Sequence, residues 1–175
     1  MNTRAVTTDL APAALGPYSQ AVIAGGFVFC SGTAGIDPVT GEIADGIEAQ
    51  TEQALRNLAA ILDEAGSSLR DVVKTTIFYT NVDDFPLINE IYARHVPDPA
   101  PARSAPANAV LPRGILISIE AIAEVEASPP GEAGGTLSSG STSDCRRRCR
   151  STAGPWCCWR CRHRSRPGRA PTGHR

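Results

Sequence analysis

The sequence predicts an α+β domain over residues 1–126, with two helices on one face of a mixed sheet, and a patternless tail over 127–175. Two observations predict the domain. Five short runs are rich in β-branched, aromatic and other apolar residues, whereas two longer runs place their apolar residues at steps of three and four. Their order is β-β-α-β-α-β-β, which suits helices layered on a sheet. A third observation marks the boundary. Residues 1–126 hold 7 basic and 16 acidic side chains, a formal −9, whereas 127–175 hold 10 arginines and 2 acids, a formal +8.

Each element has a local reason. Ser19–Ala24 and Phe27–Ser31 are apolar runs separated by Gly25-Gly26, a two-residue hairpin signal. Asp37-Pro38-Val39-Thr40-Gly41 is a turn by composition. Over Ile47–Ala65 the stripe Ala54, Leu55, Leu58, Ile61, Leu62 and Ala65 predicts an amphipathic helix, and Gly66 stands where a left-handed stop belongs. Val72–Thr80 reads as a strand. Asp83-Asp84 supplies a helix N-cap with Pro86 in the first turn, and Phe85, Ile88, Ile91 and Tyr92 form the apolar face, with His95 a further candidate for it. The proline-rich stretch 97–101 ends that helix. Arg103–Val110 is a weaker strand, Leu111-Pro112-Arg113-Gly114 a turn, and Ile115–Val125 the strongest strand.

In that last strand Ile115, Ile117, Ile119, Ala121 and Ala123 fall on one side, with Leu116 and Ile122 on the other. A strand apolar on both sides is expected to be covered on both. Helices supply one cover, and a second subunit is the expected other.

Composition narrows the function classes. The acidic body repels phosphates, which argues against non-specific nucleic-acid binding. Cys30 is the single cysteine of the body, so there is no disulfide framework, as expected of a reducing, cytoplasmic compartment. The N-terminal MNTRAVTTDLAPAALG lacks the apolar core of a signal peptide, and no window approaches a membrane span. The body also lacks a phosphate loop, a Ser-His-Asp set and metal-ligand spacing, and His95 is its only histidine.

Two residues carry the candidate chemistry. Arg103, in Pro101-Ala102-Arg103-Ser104, opens a strand after a proline-rich loop, where a planar guanidinium can take a carboxylate with two parallel hydrogen bonds. A surface arginine paired with an acid is the commoner case. Glu120 shares a side of the last strand with Leu116, Ser118 and Ile122, and under a cover it needs a partner. It either neutralises an arginine on the neighbouring strand or activates a water beside a bound anion. Tyr18 after Gly16-Pro17 and Ser31-Gly32 at a strand end are weaker candidates, although glycine there lets a ligand approach the backbone.

Nine segments in order resemble the RidA/YjgF family: GPYSQAV at 16–22, FVFCSG at 27–32, DPVTGE at 37–42, QTEQALRNLAAIL in the first helix, VVKTTIFYTNVDDF at 72–85, INEIYARH at 88–95, PARS at 101–104, LPRG at 111–114 and IEAIAEV at 119–125. The resemblance covers nearly all of 15–126. It implies a chorismate-mutase-like α+β fold assembled as a homotrimer, with active sites between subunits. It further implies hydrolytic deamination of 2-iminobutanoate and 2-iminopropanoate to 2-oxo acids and ammonia, without cofactor or metal. Position by position, Arg103 resembles the arginine that clamps the substrate carboxylate, and Glu120 the acid that places the water. Tyr18, Ser31, Gly32 and Asn89 match residues lining the cleft. The sequence departs from the family at Ala105, where a cysteine or small hydroxyl residue is frequent, and at Pro106, so substrate choice is open on the pocket wall these two shape. The contrasting expectation is a non-catalytic ligand-binding or chaperone-like trimer. A ribonuclease is disfavoured by the body's charge and the lack of a histidine pair.

Residues 127–175 begin with a Ser, Gly and Pro-rich linker and continue with arginine but no lysine. This composition predicts disorder and suggests an out-of-frame or misplaced-stop product of a GC-rich gene. Cys145, Cys149, Cys157, Cys158, Cys161 and His163 lack paired CxxC spacing, so zinc is not expected there.

Overall fold

A computed structural model describes residues 3–125. The expectations for the tail, its boundary and its cysteines lie outside the described residues. The elements are β1 (Arg4–Val6), β2 (Ala21–Ala24), β3 (Phe27–Ala34), α1 (Gly46–Ala65), β4 (Val72–Tyr79), α2 (Phe85–His95), β5 (Ala102–Ser104) and β6 (Ile117–Glu124). They form one six-stranded sheet in the order β1-β2-β3-β6-β4-β5, antiparallel throughout except for the β4–β5 pair. The sheet is mixed and its fold is the α+β class expected. No helix among the described residues is long and apolar enough to cross a membrane.

Local chemistry explains most boundaries. Gly25 and Gly26 both take positive φ, 60° and 83°, the twist that a two-residue hairpin needs to pair β2 with β3. Gly66 ends α1 at φ 81°, and its N–H and that of Ser67 satisfy the last carbonyls, at Asp63 and Leu62. Asp37 caps its turn by accepting from the N–H groups of Val39 and Thr40, which hold its carboxyl below the usual range.

Four details differ from expectation. The second strand of the hairpin, β3, does not end at Ser31-Gly32 but runs on to Ala34, because pairing with β6 resumes at Thr33↔Ile119 after a bulge. The strand expected over Arg103–Val110 is only Ala102–Ser104, because Pro106 has no N–H to give the ladder and Asn108 turns into the left-handed region at φ 59°. Asp84 caps α2 without a side-chain bond. Asn81 instead accepts from the Asp83 N–H in a 3₁₀ turn just before the helix. β1 has no periodic signal in the sequence, being three residues of which only Val6 is buried.

Both helices lie on one face of the sheet. Ile117, Ile119, Ala121 and Ala123 of β6 meet Leu55, Leu58, Ile61 and Leu62 of α1 and Ile88 and Ile91 of α2 in a single core. Burying each large apolar side chain contributes about 1.5–3 kcal/mol. The opposite face is open within one chain. Phe29 is 44% exposed there, Phe78 and Ile122 are half-buried, and Glu120 is exposed. The two-sided cover expected for the last strand is therefore not supplied by the chain itself.

Candidate functional site

The end of β3 builds the first cluster. Pairing with β6 runs Cys30↔Ala121 and then Thr33↔Ile119, so the two residues Ser31 and Gly32 stand opposite the single residue Glu120 in a bulge. Gly32 leaves room there for the Ser118 hydroxyl. A Cβ would approach Ser118 Oγ to 2.6 Å, and Ser118 shares the open face with Glu120. Ser31 is fixed by its hydroxyl, which donates to the Ser19 carbonyl at 2.7 Å, and by its N–H, which donates to the Gln20 carbonyl. Tyr18 accepts from the Leu15 N–H through its hydroxyl, and half its surface is exposed. A cavity of about 290 Å³ opens beside these groups, with Tyr18, Ser31, Gly32, Ser118 and the apolar Leu15 and Ile115 in its wall.

Three buried amides shape this cavity. Gln20 donates to the carbonyls of Thr8, Ala11 and Pro12, and accepts from the Thr8 N–H at 2.7 Å, which folds the 8–12 segment over the cavity. Gln50 of α1 accepts from the Leu116 N–H at 2.8 Å and donates to the Gly114 carbonyl. Asn57 donates to the carbonyls of Ala34 and Ile36, while Gly35 lies so close to the Gln50 backbone that a Cβ would collide with it. Sequence reasoning passes over these three amides. Their signal is a polar residue inside an otherwise apolar helix or strand face.

The second cluster sits at the far edge of the sheet. Arg103 on β5 pairs with Thr75 of β4, which in turn pairs with Ala121 of β6, so Arg103 faces the helix side. Its guanidinium lies over the rings of Tyr92, at 5.0 Å from the centroid, and Phe85, at 5.6 Å. Asn89 is four residues from Phe85 and three from Tyr92, hence on the same face of α2. Its Oδ1 is buried without a hydrogen-bond partner, and Ala105, two residues after Arg103, packs against the core. Among the described residues no carboxylate forms an ion pair with Arg103.

The structure thus brings Tyr18, Ser31 and Gly32 into one cavity wall, with Glu120 across the ladder from Ser31 and Gly32, and separately Arg103 with Asn89. It does not join the two sets within one chain. Glu120 pairs with Thr76 and Arg103 with Thr75, adjacent residues of one strand, so the two side chains leave opposite faces of the sheet. The alternative that Glu120 simply neutralises Arg103 within the chain does not occur. Two strand spacings also separate them, about 10 Å.

Glu52, Arg94, His95 and Cys30 have structural surroundings. His95 ends α2 with Nε2 2.9 Å from Glu52 of α1, and Arg94 reaches the other oxygen of that carboxylate. Burial raises the Glu52 carboxyl, but His95 and Arg94 outweigh it and hold the group below its ordinary value. Burial pushes the Cys30 thiol up to about 12, which keeps it protonated and inert. Among the described residues no three His, Cys, Asp or Glu side chains gather to hold a metal.

This arrangement defines an α+β protein with one helix-covered sheet face, one open face carrying a glycine bulge and a carboxylate, and at the sheet edge an arginine without an ion pair among the described residues. The family model for Endoribonuclease L-PSP matches residues 8–125, and the chain belongs to that family, the RidA/YjgF proteins. It is 50% identical over 119 residues to Reactive Intermediate Deaminase A, chloroplastic, of Arabidopsis thaliana, covering 67% of this chain and 64% of that one. It is 42% identical over 121 residues to the human 2-iminobutanoate/2-iminopropanoate deaminase, covering 69% and 88%. Among solved structures, Escherichia coli TdcF with bound serine superposes with a TM-score of 0.66 at 40% identity, covering 69% of this chain and 98% of that one.

Proposed function

We propose that this chain hydrolyses reactive 2-imino acids, 2-iminobutanoate and 2-iminopropanoate, to 2-oxo acids and ammonia, as a cytoplasmic homotrimer with sites between subunits. The observation that carries the reading is the split of the candidate residues into two half-sites on one chain. One half holds a guanidinium with no ion pair among the described residues and the other a carboxylate beside a backbone bulge, and a neighbouring copy would unite them. The open sheet face with Phe29 and Ile122 is the surface such a copy would cover. A human relative named as the deaminase of these two imines and a plant relative named as a reactive intermediate deaminase support the same chemistry.

In this mechanism Arg103 of one subunit binds the substrate carboxylate, with Asn89 beside it. Tyr18, Ser31 and Gly32 of the neighbour hold the rest of the molecule against the bulge, and Ala105 borders the substituent. Glu120 of that neighbour takes a proton from a water as its oxygen bonds to the iminium carbon, and the C=N pair moves to nitrogen. Protonated Glu120 then returns the proton to the amine. Ammonia leaves as the C–N bond breaks, and the Glu120 carboxylate, free again, takes the hydroxyl proton to give the 2-oxo acid. The protonated imine carbon is already electrophilic, so the residues need only bind, orient and move protons.

The test supplies imines in situ from a threonine dehydratase and follows 2-oxo acid formation. The wild type is expected to accelerate hydrolysis over buffer, and Arg103→Ala to lose most of that gain. No acceleration by the wild type, with ligand binding kept, would favour the non-catalytic trimer. Equal rates for the mutant and the wild type would move the site elsewhere.

A further inference from the structure

We propose that Tyr92 and Phe85 are positioning residues that hold the Arg103 guanidinium ready for an anionic ligand, with Thr75 anchoring both the Tyr92 ring and the Arg103 strand. The inference rests on the carboxylate-binding role given to Arg103 above. Arg103 is exposed and sits on a three-residue edge strand, so its long side chain would otherwise sample many rotamers. A clamp that must be ordered by its own ligand binds more weakly than one already in place.

The geometry supplies that order without using the arginine's hydrogen-bond donors. The guanidinium carbon lies 5.0 Å from the Tyr92 centroid and 5.6 Å from that of Phe85, both within cation–π range. Phe85 is itself stacked on Tyr79, with centroids 5.9 Å apart and an angle of 17° between the rings. Tyr92 is 5% exposed, and its hydroxyl meets the Thr75 hydroxyl at 2.7 Å. Thr75 is also the residue that pairs with Arg103 in the parallel ladder. One buried threonine therefore fixes both the ring and the backbone of the arginine above it. Burial raises the Tyr92 phenol above its ordinary value, against the Thr75 hydrogen bond and the charge of Arg103, so the ring stays neutral. Stacking leaves the N–H groups unspent, and no ion pair or side-chain hydrogen bond consumes them among the described residues. A packing role alone would explain the burial of Tyr92, but not a cation held over two rings and left without an anion.

The test compares Tyr92→Leu, Tyr92→Phe, Phe85→Leu and Arg103→Ala in the full chain, by imine hydrolysis kinetics and thermal unfolding. Removing one ring face is expected to raise KM about two- to five-fold with kcat little changed, because the carboxylate is held equally in ground and transition states. Tyr92→Phe keeps the ring, so KM should stay near wild type while Tm falls, since the Thr75 hydroxyl loses its partner. Wild-type KM in both leucine variants, with KM raised in Arg103→Ala, would overturn the positioning role and leave the proposed function standing. A KM rise in Tyr92→Phe equal to that in Tyr92→Leu would also overturn it. Wild-type kinetics in Arg103→Ala would instead sink the site itself. Phe85 is only half-buried, so Phe85→Leu carries the same comparison if Tyr92→Leu fails to fold.

Discussion

Mixing two inactive variants tests the split site directly. Arg103→Ala removes the guanidinium and Glu120→Gln removes the proton acceptor, and each alone is expected to be nearly inactive. The ladder register sends these side chains to opposite faces of the sheet, two strand spacings apart. A site that unites them takes its arginine from one subunit and its glutamate from the next, around a ring of heterologous interfaces. In an equal mixture, reassembled from unfolded chains, a given site receives an intact arginine in half the cases. The next subunit independently supplies an intact glutamate in half. About one quarter of the sites are then complete, so the mixture should recover roughly a quarter of wild-type activity from two dead parents. The assay is 2-oxo acid formation from dehydratase-generated imines, with oligomeric state checked by light scattering. If one chain supplied both groups, every chain in the mixture would lack one of them and no activity would return. That result, from correctly assembled mixtures, would refute the division of the site between subunits.

Two further perturbations follow from the packing. Gly35→Ala places a methyl group against the backbone of Gln50, which cannot rotate away, so α1 must shift; a loss of about 1–3 kcal/mol and a Tm lower by about 5 °C or more are expected, read by thermal unfolding. An unchanged Tm would mean that the β3 end does not meet α1 as closely as described. Glu52 is held below its ordinary pKa by His95 and Arg94, so its contribution to stability is present above the unfolded-state value and is lost as the pH falls through the folded one. Urea midpoints measured on acidification should therefore drop less in Glu52→Gln than in the wild type. The pair is partly exposed, which keeps the difference small.

The elements with strong local causes are legible in the amino-acid order alone. The Ala54–Ala65 stripe with Gly66, the Gly25-Gly26 hairpin and the apolar alternation of β6 each encode their conformation within a few neighbouring residues, and these interactions act at short range. β1 is invisible there because a three-residue strand exists only by pairing with β2, fifteen or more residues away. The shortening of β5 is half-legible, since Pro106 is in plain view but the Asn108 turn is not. Among the site residues, Arg103 and Glu120 stand out by charge and Gly32 as a glycine in an apolar run, although its place in a bulge inside β3 does not show. Phe85 and Tyr92 read only as core, because their helical spacing is that of any buried face.

Sequence by itself determined the α+β class, the acidic body, the helix limits and the residue types able to bind an anion or move a proton. Tertiary structure alone decided which of those residues face one another. Period two places a side chain on one of two faces, but which face is helix-covered, and which strand lies next to which, depends on the β3-β6-β4-β5 order. That order sets the guanidinium over the α2 rings and the carboxylate beside the bulge on the open side. The contacts that decide it join residues distant along the chain, and no local pattern encodes them.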